Sequence, residues 1–235
     1  MKIILLNGRT CNYQDYCGLP LKVVNSLRAK RLSLRIDEKQ HIPVLTIPKR
    51  CGERRVKEFL DANHDWVINM MARLPAATKF SDGEEISFFG KNYVVKYCPE
   101  NRITEFCDNI LKVSGDEEFL HRRVSDFLKA QSLKILSEMT VQKARVIDCR
   151  VKSVAVKDTR SRWGSCTTSG HISYNWRICM APMEVIDYLV SHESAHLRHH
   201  DHSNNFWQCV EGLCPLYKET RRWLKTHGKS LYKYI

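Results

Sequence analysis

The sequence lacks an apolar run long enough to cross a membrane, and residues 1–6 form too short an apolar stretch for a secretory signal. None of the ten cysteines forms a C-x-x-C pair. The nearest approach, Cys209 with Cys214, has no second pair with which to complete a zinc knuckle. We therefore expect a cytoplasmic protein without membrane association, whose thiols are reduced and mostly buried.

Internal repeats, low-complexity linkers and aromatic-rich RNA-binding motifs are also missing. The 235 residues suffice for one substantial core or two modest domains. The formal net charge of +12 favours association with polyanions such as nucleic acid or nucleotides. General solubility explains the charge equally well, because the basic residues are spread over several short groups. These groups are 28–31, 49–55, 122–123 and 221–222. The sequence carries no signal for an oligomeric state.

The N-terminal part of the chain has the alternating, β-branched pattern that is typical of strands. Predicted strands occupy residues 21–24, 31–36, 43–47, 84–97 and 102–113, and the fourth of these segments turns back at Gly90. One helix is predicted over residues 53–74. Its inner face would carry Val56, Phe59, Leu60, Trp66, Val67 and Met70. We predict a β-rich N-terminal region with one helix over residues 1–114.

Residues 115–235 mix strand and helix patterns, so the predicted fold class is α+β. The expected elements are a helix over 116–139, strands over 153–157 and 171–179, a helix over 183–198 and a helix pair over 204–227. The predicted strand at 171–179 comes directly before the helix at 183. An edge strand there would be able to bind an extended peptide by strand addition, and a plain structural strand is an equal alternative.

The chain reads His-Glu-Ser-Ala-His-Leu-Arg-His-His-Asp-His over residues 192–202. On a helix, His192 and His196 lie one turn apart and project from the same face, which is half of a tetrahedral zinc site. Glu193 points about 100° around the helix from His192. It would therefore flank the metal, where a general base accepts a proton from water.

The residues before the motif favour a functional site over a chance match. Pro182 suits the first turn of a helix, and an apolar stripe follows it at helical spacing. The stripe consists of Val185, Ile186, Leu189 and Val190. Since His192 and His196 extend this stripe, they point toward packed protein or a cleft, where polar side chains need a reason.

A catalytic zinc site usually has three protein ligands. His202 can be the third if the helix ends soon after His196, which the polar run 198–205 permits, and Ser203 can cap a new helix. His202 ranks first among the candidates, Glu211 ranks second, and further rivals are His199, His200 and Glu219. The expected cofactor is one Zn²⁺ ion, although three-histidine sites also take nickel, cobalt or iron.

Several motifs in order resemble the YgjP-like metallopeptidase family, which is related to the SprT-like proteases and other compact zincins. They are Arg162-Trp163-Gly164-Ser165-Cys166, Tyr174-Asn175-Trp176-Arg177, Ala181-Pro182, the H-E-x-x-H segment, His202-Ser203 and Phe206-Trp207. The similarity runs from about 153 to 228, with weaker signals at Asp82-Gly83 and Phe89-Gly90. It implies a zincin-type hydrolase domain, predicted over 115–235, with His192, His196 and His202 as metal ligands and Glu193 as the base.

Two positions depart mildly from the family pattern: Ser194 is often apolar there, and Asp201 is often asparagine. The role of residues 162–166 stays open. Gly164 is interpreted as allowing a close backbone approach, and Cys166 as packing rather than as a nucleophile. Arg162 is a candidate for stabilising a developing oxyanion. Together with Asn175 and Arg177, Arg162 is also a candidate substrate contact.

These features predict metal-assisted hydrolysis of a peptide or protein, with endopeptidase action as the leading hypothesis. Glu193 would accept the proton of water and deliver it to the leaving amine. A second hypothesis keeps the metal but places a nucleotide phosphoanhydride there, with phosphates held by Arg160, Arg162 and Arg177. A third is a non-enzymatic module with structural zinc, whose basic surface binds nucleic acid.

Overall fold

The computed structural model describes residues 12–16, 18–37, 40, 42–72, 78–159 and 161–234. The segment 1–6 and Arg160, both considered above, lie outside the described residues. The chain forms two compact units, Met1–Ala77 and Thr78–Tyr234. This division differs from the predicted one after residue 114, because the strands up to Val113 share a hydrophobic core with the long helix that follows them.

The first unit contains one four-stranded sheet in the order β1-β2-β4-β3. Its strands are β1 (Asn12–Tyr16), β2 (Leu19–Ser26), β3 (Ser33–Asp37) and β4 (Ile42–Pro48). β2 and β4 run parallel, with Ser26 opposite Pro48, whereas the other pairs are antiparallel. The carboxyl ends of β2 and β4 therefore lie side by side, and the loops that leave them emerge at the same edge.

The helix predicted over 53–74 is two helices, α1 (Glu53–Ala62) and α2 (His64–Ala72). Asn63 separates them, since its side chain donates a hydrogen bond to the Phe59 carbonyl (2.7 Å) and its backbone leaves the helical region. Most of the predicted inner face is buried or half-buried, but Trp66 is exposed because the break changes the phase of the second helix.

The second unit begins with a four-stranded sheet in the order β5-β6-β8-β7. Its strands are β5 (Glu85–Phe88), β6 (Lys91–Tyr97), β7 (Glu105–Cys107) and β8 (Ile110–Val113). The long helix α3 (Leu120–Val146) follows and extends beyond the predicted end at residue 139. Leu111, Val113 and Val124 belong to the core between this sheet and α3.

A three-stranded sheet, in the order β10-β11-β9, lies next to the predicted chemistry. Its strands are β9 (Ser153–Lys157), β10 (Gly164–Cys166) and β11 (His171–Asn175). The strand predicted over 171–179 ends at Asn175, because the Asn175 side chain accepts the Arg177 N–H and starts a 3₁₀ helix, Trp176–Met180. Of the two alternatives for this strand, the edge strand is wrong and the plain structural strand stands, since β11 is the central strand and β10 lies at the edge.

Three helices complete the second unit: α4 (Met183–Ala195), α5 (Asn204–Leu213) and α6 (Tyr217–His227). A final 3₁₀ segment, Gly228–Lys233, follows them. The architecture is the predicted α+β class, with strands first and helices after. Among the described residues, no helix combines the length and apolar character needed to cross a membrane.

Candidate metal centre

The end of α4 positions two of the three histidines. His192 lies in its last turn, and His196 is the residue at which the helix stops. Val185 and Leu189, which precede His192 on the same face, are buried in the core around α4. The chain then turns tightly, with the His199 N–H bonded to the Ala195 carbonyl (3.0 Å), and returns with His202. The predicted helix break after His196 is therefore present.

Three imidazoles converge at this turn. The ligand nitrogens of His192, His196 and His202 all lie within 4.8 Å of one another. The Nε2 atoms of His192 and His202 are 3.4 Å apart. Two nitrogens bound at about 2.05 Å to a tetrahedral zinc ion stand about 3.3 Å apart, so this pair already has the separation of zinc ligands.

The surroundings prepare the rings for a metal. The Nδ1 atom of His196 lies 2.9 Å from the His199 carbonyl, which holds a proton on Nδ1 and leaves Nε2 free to bind a cation. The buried ring of Phe206 stacks on His196, with 4.4 Å between the centroids. Trp207 lies 5.8 Å from both His192 and His202. The Phe206-Trp207 motif on α5 therefore packs against the histidine rings.

The protonation states also suit a metal. Burial, together with the neighbouring imidazoles, lowers the pKa of His192 to about 3. Burial likewise lowers the pKa of His196. Neutral imidazole is the form that ligates, so protons compete weakly with a cation for these two rings. The donor set, the nitrogen separations and the proton on His196 all fit a divalent zinc ion.

The centre has three candidate metal ligands and not four. No other histidine, cysteine, aspartate or glutamate of the described chain joins the group, which matches catalytic sites better than closed structural ones. Glu211, the second-ranked rival, lies near Lys218 instead, with 3.9 Å between the charged atoms. His202 is exposed and the other two rings are half-buried, so the centre is open to solvent.

Glu193 lies beside the histidines without belonging to their group. Only 4% of the residue is exposed. Burial raises the pKa of Glu193 to about 8, and the Arg162 guanidinium opposes this rise. A divalent cation nearby favours the charged carboxylate and so draws this pKa down. A carboxyl group in these surroundings is a candidate for accepting a proton, as general base catalysis requires.

The segment 162–166, whose role the sequence left open, packs against the side chain of Glu193. A Cβ atom on Gly164 would lie 2.3 Å from Oε1 of Glu193, so any larger residue here would displace the carboxyl. The close approach predicted for Gly164 is thus made to the candidate base itself. A glycine inside a recurring strand motif is the signal for such an approach, but the sequence does not reveal what approaches. Burial raises the pKa of Cys166 to about 11, which supports its packing role.

The three predicted substrate contacts occupy very different positions. Arg162 is exposed and lies close enough to Glu193 to affect its pKa. Asn175 is fully buried, and its amide donates to the Thr159 carbonyl (2.6 Å) and to the Tyr232 hydroxyl (3.0 Å). Its position gives it a structural role, not a surface on which substrate can bind.

Arg177 is also buried, with 2% of its area exposed. Its guanidinium donates to Asp158 Oδ1 (2.6 Å) and twice to the Tyr234 carbonyl (3.0 and 2.8 Å). Its ring neighbours are Trp176 and Tyr232. With these internal partners it is not open to a substrate or to the phosphates of the nucleotide hypothesis.

The α+β fold and the three converging histidines are consistent with a metallopeptidase domain of the zincin type. A family model described as YgjP-like, metallopeptidase domain, matches residues 30–227, which is most of the chain. The protein therefore belongs to the YgjP-like metallopeptidase family, and by family it is a metal-dependent hydrolase.

Comparison with curated proteins finds no matching relative. Among solved structures, the chain is similar to the crystal structure of the metallopeptidase zymogen of Pyrococcus abyssi abylysin. The sequence identity is 20% and the TM-score is 0.36. The match covers 39% of this chain and 93% of that chain.

Proposed function

We propose that this protein is a zinc-dependent endopeptidase in which His192, His196 and His202 hold the ion and Glu193 is the general base. One observation carries the proposal: three imidazole nitrogens within 4.8 Å of one another adjoin a buried carboxyl that is not part of their group. Membership of a metallopeptidase family supports the reaction class.

When bound, zinc supplies Lewis acidity, which acidifies water and polarises a carbonyl group. A carboxylate oxygen of Glu193 accepts a proton from the attacking water and passes it to the nitrogen of the leaving amine. The backbone at Gly164 lies close against the Glu193 carboxyl and so limits its movement. Arg162, which is exposed beside Glu193, would stabilise negative charge that develops on the carbonyl oxygen.

Strand β10 is the surface on which we place the substrate backbone. The backbone groups of Trp163 and Thr167, on either side of β10, form hydrogen bonds with β11. Because hydrogen-bonded residues alternate along an antiparallel pair, the backbone groups of Ser165 also face β11. The backbone groups of Gly164 and Cys166 therefore face the outer edge, where no described strand pairs with them. An extended peptide that pairs with this edge would continue on both sides of the bond nearest Glu193, which suits cleavage within a chain.

The test begins with the purified protein, its metal content and its cleavage of casein. Glu193→Gln should keep zinc and lose at least about 100-fold in turnover, because general acid–base catalysis contributes that much or more. His196→Ala should lose both zinc and activity. Glu219→Gln, on the exposed face of α6, is the matched control and should behave as wild type. Wild-type turnover by Glu193→Gln would remove Glu193 from the mechanism.

Two further assays separate the alternatives. Phosphate release from nucleoside triphosphates without casein cleavage would favour the nucleotide hydrolase, and stoichiometric zinc without either activity would favour structural zinc. For β10, Cys166→Pro removes an outward N–H, so its kcat/KM should be a few-fold to about tenfold below that of Cys166→Ala, which loses the same packed side chain but keeps the N–H. Ser165→Pro instead breaks the pairing with β11 and should destabilise the protein. Equal kcat/KM in Cys166→Pro and Cys166→Ala would place the substrate elsewhere.

A further inference from the structure

Two basic groups that are far apart in the sequence line one concavity in the first unit. The concavity has a volume of about 410 Å³. Its charged lining consists of Lys30, Arg31, Lys49, Arg50 and Arg55. All five of these residues are exposed, and no acidic residue among those that the structure describes lines the concavity.

The strand pairing brings the two groups together. Because β2 and β4 are parallel and Ser26 lies opposite Pro48, the loops after both strands begin at the same edge of the sheet. β3 starts beside the end of β4, with Ser33 opposite Thr46, so the loop from β2 to β3 stays at that edge. Basic residues placed after two parallel strands must therefore share one surface.

The cations of this concavity are not neutralised by carboxylates of the described chain. None of the five lies within ion-pair distance of an acidic side chain that the structure describes. The neighbouring Arg54 differs, since it pairs with Glu58 at 2.9 Å on α1. Glu53, in the first turn of α1, is exposed and does not line the concavity. Five unpaired like charges repel one another, and an anionic ligand relieves that repulsion.

The lining also indicates which anion fits. Its uncharged residues are Ala29, Leu32, Pro48 and Cys51. The lining that the structure describes has no aromatic ring on which a base could stack and no side-chain amide with which a base edge could be recognised. A lining of cations and small apolar side chains therefore suits an anion that is recognised by its charge, such as phosphate.

We propose that this concavity, with its five cations, binds the phosphate backbone of nucleic acid without reading its sequence. Lys and Arg side chains are among the groups that contact phosphates in such complexes. The binding is independent of the metal centre, so Glu193→Gln should bind nucleic acid as the wild type does.

The test is fluorescence anisotropy with single-stranded DNA, duplex DNA and RNA of about 20 nucleotides, measured between about 50 and 200 mM salt. The variant carries Lys30→Gln, Arg50→Gln and Arg55→Gln. Its slope of log affinity against log salt should be shallower than wild type by about 2 for single strands and about 3 for duplex. The matched control removes the same charge from exposed positions of the second unit, through Arg122→Gln, Arg145→Gln and Arg222→Gln.

The proposal is supported if the first variant loses affinity and slope while the control retains most of both. Equal losses in the two variants would assign binding to net charge alone and overturn it. ATP and inorganic triphosphate are the competing probes: strong binding of either, with no detectable binding of nucleic acid, would assign the concavity to a small phosphate ligand and also overturn the proposal. All three substituted side chains are exposed, and thermal melting checks that the variants fold.

Discussion

Replacing Gly164 with alanine should remove most catalysis while leaving the metal ligands in place. The added Cβ would lie 2.3 Å from Oε1 of Glu193 and 2.6 Å from its Cδ and Cγ. Ordinary contacts between such atoms begin near 3.4 Å, so the carboxyl must move by roughly 1 Å. The backbone at Gly164 lies outside the left-handed region, so the methyl group alone causes the effect.

A displacement of about 1 Å at a reacting group can cost about 100-fold in rate. We expect a fall of that order in kcat/KM for peptide cleavage, with zinc affinity unchanged because no histidine contacts the new Cβ among its nearest atoms. Peptide cleavage and a competitive zinc titration measure the two quantities on the same preparation.

Gly212→Ala is the matched control for this substitution. A Cβ at Gly212 meets no atom within 4 Å, and the residue lies inside helix α5. It should leave turnover unchanged and raise stability by about 0.5–1 kcal/mol, since alanine is the better helix former. Wild-type turnover by Gly164→Ala, with the control normal, would refute the claim that glycine is required to seat Glu193.

Three further predictions concern stability and thiol chemistry. Arg177→Met removes the guanidinium that donates hydrogen bonds to Asp158 and to the Tyr234 carbonyl. Urea unfolding should therefore show a loss of about 3 kcal/mol in the free energy of unfolding, and an unchanged value would contradict a stabilising role for these bonds. Ser194→Ala removes a buried hydroxyl that has no hydrogen-bond partner among the described residues, so the same assay should show a gain of about 1 kcal/mol. The raised pKa of Cys166, about 11, keeps its thiolate fraction small at pH 8. Its alkylation, followed by peptide mass spectrometry, should therefore keep accelerating up to about pH 11, and a plateau near the ordinary thiol pKa of about 8.5 would contradict the burial argument.

The family and the α+β class were predictable from the sequence, because they depend on local signals. The H-E-x-x-H spacing, the apolar stripe that begins at Val185 and the polar run 198–205 are all local patterns. The structure has α4 ending at Ala195, shortly before that run and three residues before the predicted end of the helix at residue 198. Family membership is confirmed by the match over residues 30–227. The assignment of His202 as a ligand stays a prediction that the geometry supports.

Non-local pairing explains what the sequence did not reveal. Strand β10 was not predicted, since three residues, 164–166, are too few to show alternation, and its neighbours place it at the sheet edge in place of β11. The break at Asn63 depends on one side-chain hydrogen bond. The basic concavity exists only because β2 and β4 are parallel, a relation that neither strand encodes by itself.

Asn175 and Arg177, the two buried residues that were predicted to contact the substrate, affect the candidate site indirectly. Arg177 binds Asp158, and Asn175 binds the Thr159 carbonyl, so both hold the segment that leads into β10. The Thr159 hydroxyl in turn donates to the Arg162 carbonyl (2.7 Å). The motif that contains Asn175 and Arg177 therefore fixes where β10 begins, and β10 fixes where Gly164 meets Glu193. Motif residues near the candidate site therefore need not touch the substrate, because the proposed base Glu193 also needs a backbone segment that is held rigidly against its buried carboxyl.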